Sequence, residues 1–299
     1  MSVSLVVDTD LGSNVDDALA LALAVRHPDV ELRAVTTVSS RPDVRAGIAR
    51  RLLDLAGADD VAVATGRSAA GDDRNVIGAE HLEVLDGAAR DAPAGDAVAL
   101  LASLPEHAAI ATIGQQTNVA AALTRDPQLP RRVHELTAVG GVFAPFATGD
   151  GRVHGAERDT NLVLDPRAAV SALSAGWRIR LVPADVTFGV VWTHAHVLRL
   201  RAGDELCRTL ADLVDAWRAR SKPAGAPDDV ACWLHDPLAV ACVTECEFVG
   251  AERVGVTVVL DARGTPHTVI DPTEGHPADV VRTVDAPTFA DWLVDTLLP

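Results

Sequence analysis

An open, mostly parallel α/β sheet with helices on both faces is the fold class this sequence predicts. Three observations predict it. Short apolar runs rich in Val, Ile and Ala alternate with helical stretches along most of the chain, the rhythm of βαβ units. The last third changes to a hairpin pattern followed by one closing helix. No internal repeat or low-complexity linker divides the 299 residues, so one domain over 1–299 is expected.

The elements follow in order. VSLVVDTD, from Val3, is a valine-rich strand, and DDALALALAVRHP is a run of helix formers that stops at Pro28. VELRAVTTV is a strand, PDVRAGIARRLLDLAGA an amphipathic helix ending at Gly57, and DVAVATG a third strand. The alternation resumes with GDAVALLASLPE, AAIATIG, TNVAAALTRDP and ELTAVGGVF, then DPRAAVSALSAGW, RIRLVPADV and a long helix around Asp204–Arg220. RVGVTVVLDARGTPHTVID reads as a hairpin turning at Ala262–Gly264, and APTFADWLVDTLL as the closing helix. Gly, Pro and Asp clusters mark Arg67–Ala94 and Ser221–Asp229 as the flexible pieces.

Apolar residues make up 48%, enough for a sizeable core. The net charge is −16, and Lys222 is the single lysine, which argues against nucleic acid or an acidic membrane face as a partner. Cys207, Cys232, Cys242 and Cys246 fit no disulfide framework or zinc spacing, so reduced thiols in a cytoplasm are expected. The start, MSVSLVVDTD, lacks the basic segment of a signal peptide, and no apolar run approaches the ~20 residues of a membrane helix.

The segment VVDTDLGSNVDDAL holds four aspartates, Asp8, Asp10, Asp16 and Asp17, where a strand hands over to a helix. Ligands of open α/β sheets bind outside the carboxyl ends of strands, which is where Asp8 and Asp10 fall. Gly12 lets the backbone turn, and Asp16 and Asp17 open a helix whose N-terminus favours negative charge. A turn-forming Asp8 and an N-capping Asp16 explain two of the four. Asp10 beside Asp17 is different, because crowded carboxylates repel and a hard cation such as Ca²⁺ relieves that repulsion. An EF-hand fails, since the loop follows a strand and has no Glu at its twelfth position. A haloacid-dehalogenase site would use Asp8 as nucleophile and Asp10 as acid, but Gly12 stands where Thr or Val is usual and Lys222 is the sole candidate for its lysine.

DTDLGSNVDDALAL resembles the N-terminal signature of the inosine-uridine-preferring nucleoside hydrolases, in a bacterial variant with the final Asp pair two residues further on. The resemblance continues through IGQQTNVAAAL, ELTAVGGVF, DTNLVLDPRAA, ADVT at Ala184–Thr187 and LHDPLAVA at Leu234–Ala241. It implies a Ca²⁺-dependent hydrolase of the N-glycosidic bond of a ribonucleoside or related N-riboside. It also implies metal ligands at Asp10, Asp17, the carbonyl of Thr117 and Asp236. Asp10 becomes the general base, Asp16 and Asn161 the ribose contacts, and His235 the candidate acid for the leaving base. His81 lies in a loop where the family carries histidines, but its GAEHLEVL context does not match. Trp217 and Trp233 flank the segment before His235 and either stack on a base or fill the core.

Departures concentrate in the substrate shell. Asn14 replaces an acid, Arg41 stands where Asn or Asp touches the ribose, and Asp159 replaces the Glu that holds the 5′-hydroxyl. Arg152, and with it Arg158, falls near that same end. These changes predict an active enzyme with a non-standard substrate, and Arg41 and Arg152 become candidate contacts for an anionic one. A ribose- or nucleoside-binding protein without turnover is the alternative. A homodimer or homotetramer is expected.

Overall fold

The computed structural model describes residues 2–69, 75–85, 95–148, 151–221 and 227–299. Lys222, and much of the two segments read as flexible, lie outside them. Nine strands form the main sheet: β1 (Val3–Thr9), β2 (Val30–Thr37), β3 (Ala62–Thr65), β4 (Ala109–Thr112), β5 (Glu135–Val139), β6 (Ile179–Val182), β7 (Val249–Leu260), β8 (Pro266–Ile270) and β9 (His276–Val284). Their spatial order is β8-β7-β9-β6-β5-β4-β1-β2-β3. From β3 to β9 every neighbouring pair is parallel, and β7 pairs antiparallel with both β8 and β9. Apolar cores lie on both faces of the sheet. That is why β1 and β4 read as continuous apolar runs rather than alternating ones.

Proline and glycine set the boundaries where the sequence placed them. The first helix, Asp16–Arg26, ends just before Pro28, while Pro42 opens the helix Pro42–Leu55 and Gly57 follows it in the left-handed region at φ +68°. The hairpin between β7 and β8 closes with Asp261 N–H on the Thr265 carbonyl and Gly264 at φ +83°. The closing helix spans Ala286–Leu297.

Strand β9 was not foreseen. It inserts between the hairpin and the parallel sheet, so the C-terminal third continues the main sheet instead of standing beside it. Two short antiparallel pairs, Val191–Thr193 with Val230–Trp233 and Phe146–Ala147 with Val153–His154, also lie above the periodic pattern.

The strand order reverses between β1 and β4, since the chain runs from β1 outward to β3 and then returns to the other side of β1. Such a reversal opens a crevice at the carboxyl ends of the two strands. Asp10 follows β1 and Ile113 follows β4, so the DTDLG segment sits at that crevice. Gly114 permits the close approach there: a Cβ on it would fall 2.9 Å from the Asp10 amide nitrogen and from Asp10 Oδ1.

Candidate active site

A cleft of about 280 Å³ opens at this reversal. Its floor is acidic. The helix Asp16–Arg26 and the helix His235–Ala241 pack together and bring their N-terminal residues into the cleft. Carboxylate oxygens of Asp16, Asp17 and Asp236 lie within 4.8 Å of one another, and all three residues are buried. Asp10 lines the same floor. Exposed N–H groups at two helix starts favour negative charge here. Backbone N–H groups of His235 and Asp236 stabilise the Asp16 carboxylate. Asp16 is not an N-cap: Val15 holds that position and makes no side-chain cap.

Burial works against ionisation. It pushes Asp16 up to about 7, with Asp10 adding repulsion. Burial and then the neighbouring aspartates push Asp17 and Asp236 well above the carboxylate range. An all-oxygen donor set of mutually repelling carboxylates, with no Cys or His among them, fits a hard divalent cation. Thr9 Oγ1 donates to Asp17 Oδ1 at 2.5 Å and Asn75 Nδ2 to Asp10 Oδ2 at 2.5 Å, so two of these side chains are also held in place.

A second group of lining residues is aromatic. Phe188 meets the His235 ring edge-on at 4.7 Å and Trp233 at 6.2 Å, and Trp217 stands perpendicular to Trp233 at 6.2 Å. His235 Nδ1 shares a 2.7 Å hydrogen bond with Thr187 Oγ1. Burial, with the nearby Arg158 charge, lowers its pKa to about 4, so the imidazole is neutral at pH 7. Asn161, also in the lining, donates from Nδ2 to the carbonyls of Ile113 at 2.9 Å and Val139 at 3.1 Å. Asp159 accepts from Gly141 N–H at 2.5 Å and Leu162 N–H at 3.2 Å, and burial raises its pKa to about 6.

The cleft therefore gathers Asp10, Asp16, Asp17, Asp159, Asn161, His235 and Asp236. Three expected residues stay out of it. Thr117 is the first residue of the helix Thr117–Arg125, and its hydroxyl donates to Asp165 at 2.7 Å. Of that segment Ile113, four residues earlier at the end of β4, is the one that lines the cleft. Arg41 precedes the helix Pro42–Leu55 in a left-handed conformation and pairs with Asp43 at 3.3 Å, its side chain 68% exposed. Arg152 is exposed on the loop before Val153–His154, where its carbonyl accepts from Thr148 N–H. Arg158 does reach the cleft. Asp8 does not: it is buried in β1, bonded to Thr36 Oγ1 and Asn118 Nδ2, which leaves no nucleophile for a dehalogenase-type reaction. His81 is buried and lies outside the lining as well.

Sequence reasoning missed Asn75, Arg45 and Phe188. Arg45 is fully buried under the aspartate loop, and its guanidinium donates to the carbonyls of Asp10, Leu11, Ser40 and Asn75. On an amphipathic helix an arginine reads as a solvated face, so no signal marked it. Asn75 sits in a segment without periodicity. Phe188 adjoins the ADVT motif, and its position in that motif was the available clue. Among the described residues no helix is long and apolar enough to cross a membrane, and all four cysteines are free.

A sequence model of the family "Inosine-uridine preferring nucleoside hydrolase" matches residues 5–291. The pyrimidine-specific ribonucleoside hydrolase RihA of Salmonella schwarzengrund (strain CVM19633) is 31% identical over 99% of this chain and 99% of its own. Among solved structures, a plant nucleoside hydrolase superposes with a TM-score of 0.80 at 22% identity, covering 99% of both chains. A purine-preferring ribonucleoside hydrolase from Gardnerella vaginalis gives 0.79 at 23% identity, covering 98% of both. The two structural likenesses speak to the fold.

Proposed function

Because the chain belongs to the inosine-uridine preferring nucleoside hydrolase family, we propose that its cleft hydrolyses the N-glycosidic bond of a ribonucleoside or related N-riboside, releasing ribose and a base. One observation carries this reading: four aspartates, Asp10, Asp16, Asp17 and Asp236, gather in a cleft that also holds His235 among aromatic rings. The proposed metal is Ca²⁺, held by Asp10, Asp17 and Asp236, with the main chain of Ile113 in the place expected of Thr117. Bound there, it would supply a Lewis-acidic centre that acidifies a water and orients the ribose diol.

The chain's own residues do the rest. Asp10 accepts the proton of the attacking water, its Oδ2 kept in position by Asn75. Asp16 accepts from a ribose hydroxyl. The Asn161 amide nitrogen is committed to two carbonyls, which leaves its oxygen to accept from the sugar. Asp159, fixed by two backbone N–H groups, faces the 5′ end. As the C–N bond stretches, positive charge grows on the ribose, and the surrounding carboxylates stabilise it. With the Thr187 hydroxyl as donor to Nδ1, the neutral His235 ring carries its proton on Nε2, from which it can hydrogen-bond to the departing base. Burial of the ring keeps that donation competitive with solvent.

The test is a ribonucleoside panel assayed for reducing sugar. Release that stops with chelator, returns with Ca²⁺ and is absent in Asp10→Ala is the expected result. Tight ribonucleoside binding without sugar release would establish the binding-protein alternative and overturn the hydrolase.

A further inference from the structure

Arg158 is a cation in a cleft that five aspartates line, and among the described residues none of them neutralises it. Both of its sequence neighbours are acids. Glu157 turns back to accept Gly155 N–H at 2.9 Å, and Asp159 turns inward to Gly141 and Leu162. Among the described residues no carboxylate lies within ion-pair distance of Arg158, whereas Arg26, Arg50, Arg132, Arg199 and Arg201 all have one. Its guanidinium instead sits over the Phe188 ring, 5.5 Å from the centroid, where Phe188 also meets His235. That contact fixes the group without using its N–H donors, because a ring face attracts the cation through its quadrupole. A planar fork of unused donors suits a carboxylate or a phosphate.

We propose that Arg158 is the subsite for an anionic group on the substrate, so that this cleft takes a negatively charged N-riboside in preference to a neutral one. The orientation rests on the proposed hydrolase reading. In a β-N-riboside the base and the C5′ substituent share one face of the sugar, and the 2′- and 3′-hydroxyls lie on the other. With the diol on the aspartates, both the base and C5′ point away from them, and the contacting group His235, Phe188 and Arg158 is the one we assign to receive them. The charge is then either a 5′-phosphate or a carboxylate on the base. In a chain of net charge −16 an anion needs local compensation to enter an acidic cleft, and Arg158 supplies it.

The experiment compares uridine, uridine 5′-monophosphate and orotidine. With Ca²⁺-loaded protein, kcat/KM for at least one anionic compound should exceed that for uridine by about tenfold or more, the worth of a charge-assisted pair. The anionic-to-neutral ratio should collapse in Arg158→Gln and survive in part in Arg158→Lys. A winning monophosphate places the charge at the 5′ end, and a winning orotidine places it on the base. Calorimetric Kd ratios for the same three compounds on Asp10→Asn, with and without Arg158→Gln, read the subsite without turnover. If wild type cleaves nothing in the whole ribonucleoside panel, the hydrolase reading fails and these Kd ratios still decide this one. Uridine preferred in both assays, or a ratio unmoved by Arg158→Gln, overturns the anionic subsite.

Discussion

The acidic group and the aromatic group of the cleft are built in opposite ways. In the acidic group, backbone geometry places the side chains: Asp10 follows a central strand, and Asp16, Asp17 and Asp236 occupy the first turns of two packed helices. In the aromatic group, side chains place one another. Thr187 orients His235, Phe188 supports both His235 and Arg158, and Trp217 braces Trp233. The acidic group is electrostatically frustrated and needs a ligand to relax. The aromatic group is packed and neutral at its histidine. Damage to the first should therefore abolish function and change stability, while damage to the second should grade the rate.

The largest effect belongs to the acidic group. In chelated protein, burial holds Asp8 and Asp16 at about 7 and Asp159 at about 6. The sign follows from proton uptake. These carboxyls stay protonated in the folded state at pH values where the unfolded chain has already released its protons. Their stabilising effect is thus full below the ordinary carboxylate range, falls as pH rises, and is spent above about 7. Each group contributes on the order of 1 kcal/mol per pH unit. Without divalent cation, Tm should fall by several degrees or more between pH 5.5 and 7.5. Ca²⁺ should restore the share of the clustered aspartates at pH 7.5 in wild type, and much less in Asp17→Ala, while the share of Asp8, which lies outside the cleft, remains lost. A Tm that stays level across this range and ignores Ca²⁺ would remove the frustration on which the comparison depends.

How much of this was legible differs between the two groups for the same reason. Asp8, Asp10, Asp16 and Asp17 fall within ten positions between a strand and a helix, and the crowding of Asp10 with Asp17 has no structural explanation in water, so the DTDLGSNVDD segment announced a site. Asp236 and His235 followed from the HDPLA motif. The parallel sheet was legible because βαβ rhythm is periodic. Strand β9 was not, because His276–Val284 pairs with β7 and β6 across long sequence separations and its apolar pattern is interrupted by Pro277 and Asp279. Thr117 was misplaced because a motif gives identity without depth: the TN pair begins a helix, and the chain reaches the cleft four residues earlier at Ile113. Arg41 and Arg152 were read as site residues from the places they hold in the family resemblance, and such a place does not fix where a long side chain points. The partnering of Arg45 with four carbonyls is a property of the fold, visible in no local pattern.

In the aromatic group, His235→Ala should lower kcat for a nucleoside with a poor leaving group by about 10², and Thr187→Val by about tenfold, since the latter loses only the group that fixes the ring. An aryl riboside with an activated leaving group should lose far less in both. Equal losses on both substrates would show that His235 acts through the neighbouring Asp236, and the two groups would no longer be separable.

The smallest effect is expected at Arg41, and it sharpens the contrast between position in a motif and position in the cleft. Its side chain is largely exposed and its partner, Asp43, is exposed too, so the pair contributes between about 0 and 1 kcal/mol to stability. Among the described residues its guanidinium bonds Asp43 and no residue of the cleft lining. Arg41→Ala should change kcat/KM by less than about twofold for neutral and anionic ribosides alike, at 0.15 M salt, where a Debye length of about 8 Å screens an exposed charge. A selective tenfold rise in KM for the anionic substrate would mean that the loop ahead of Pro42 swings its arginine over the bound ligand. The anion would then be held from two sides, by Arg41 and Arg158, and the aromatic group would be completed on binding instead of being set in advance by its packing.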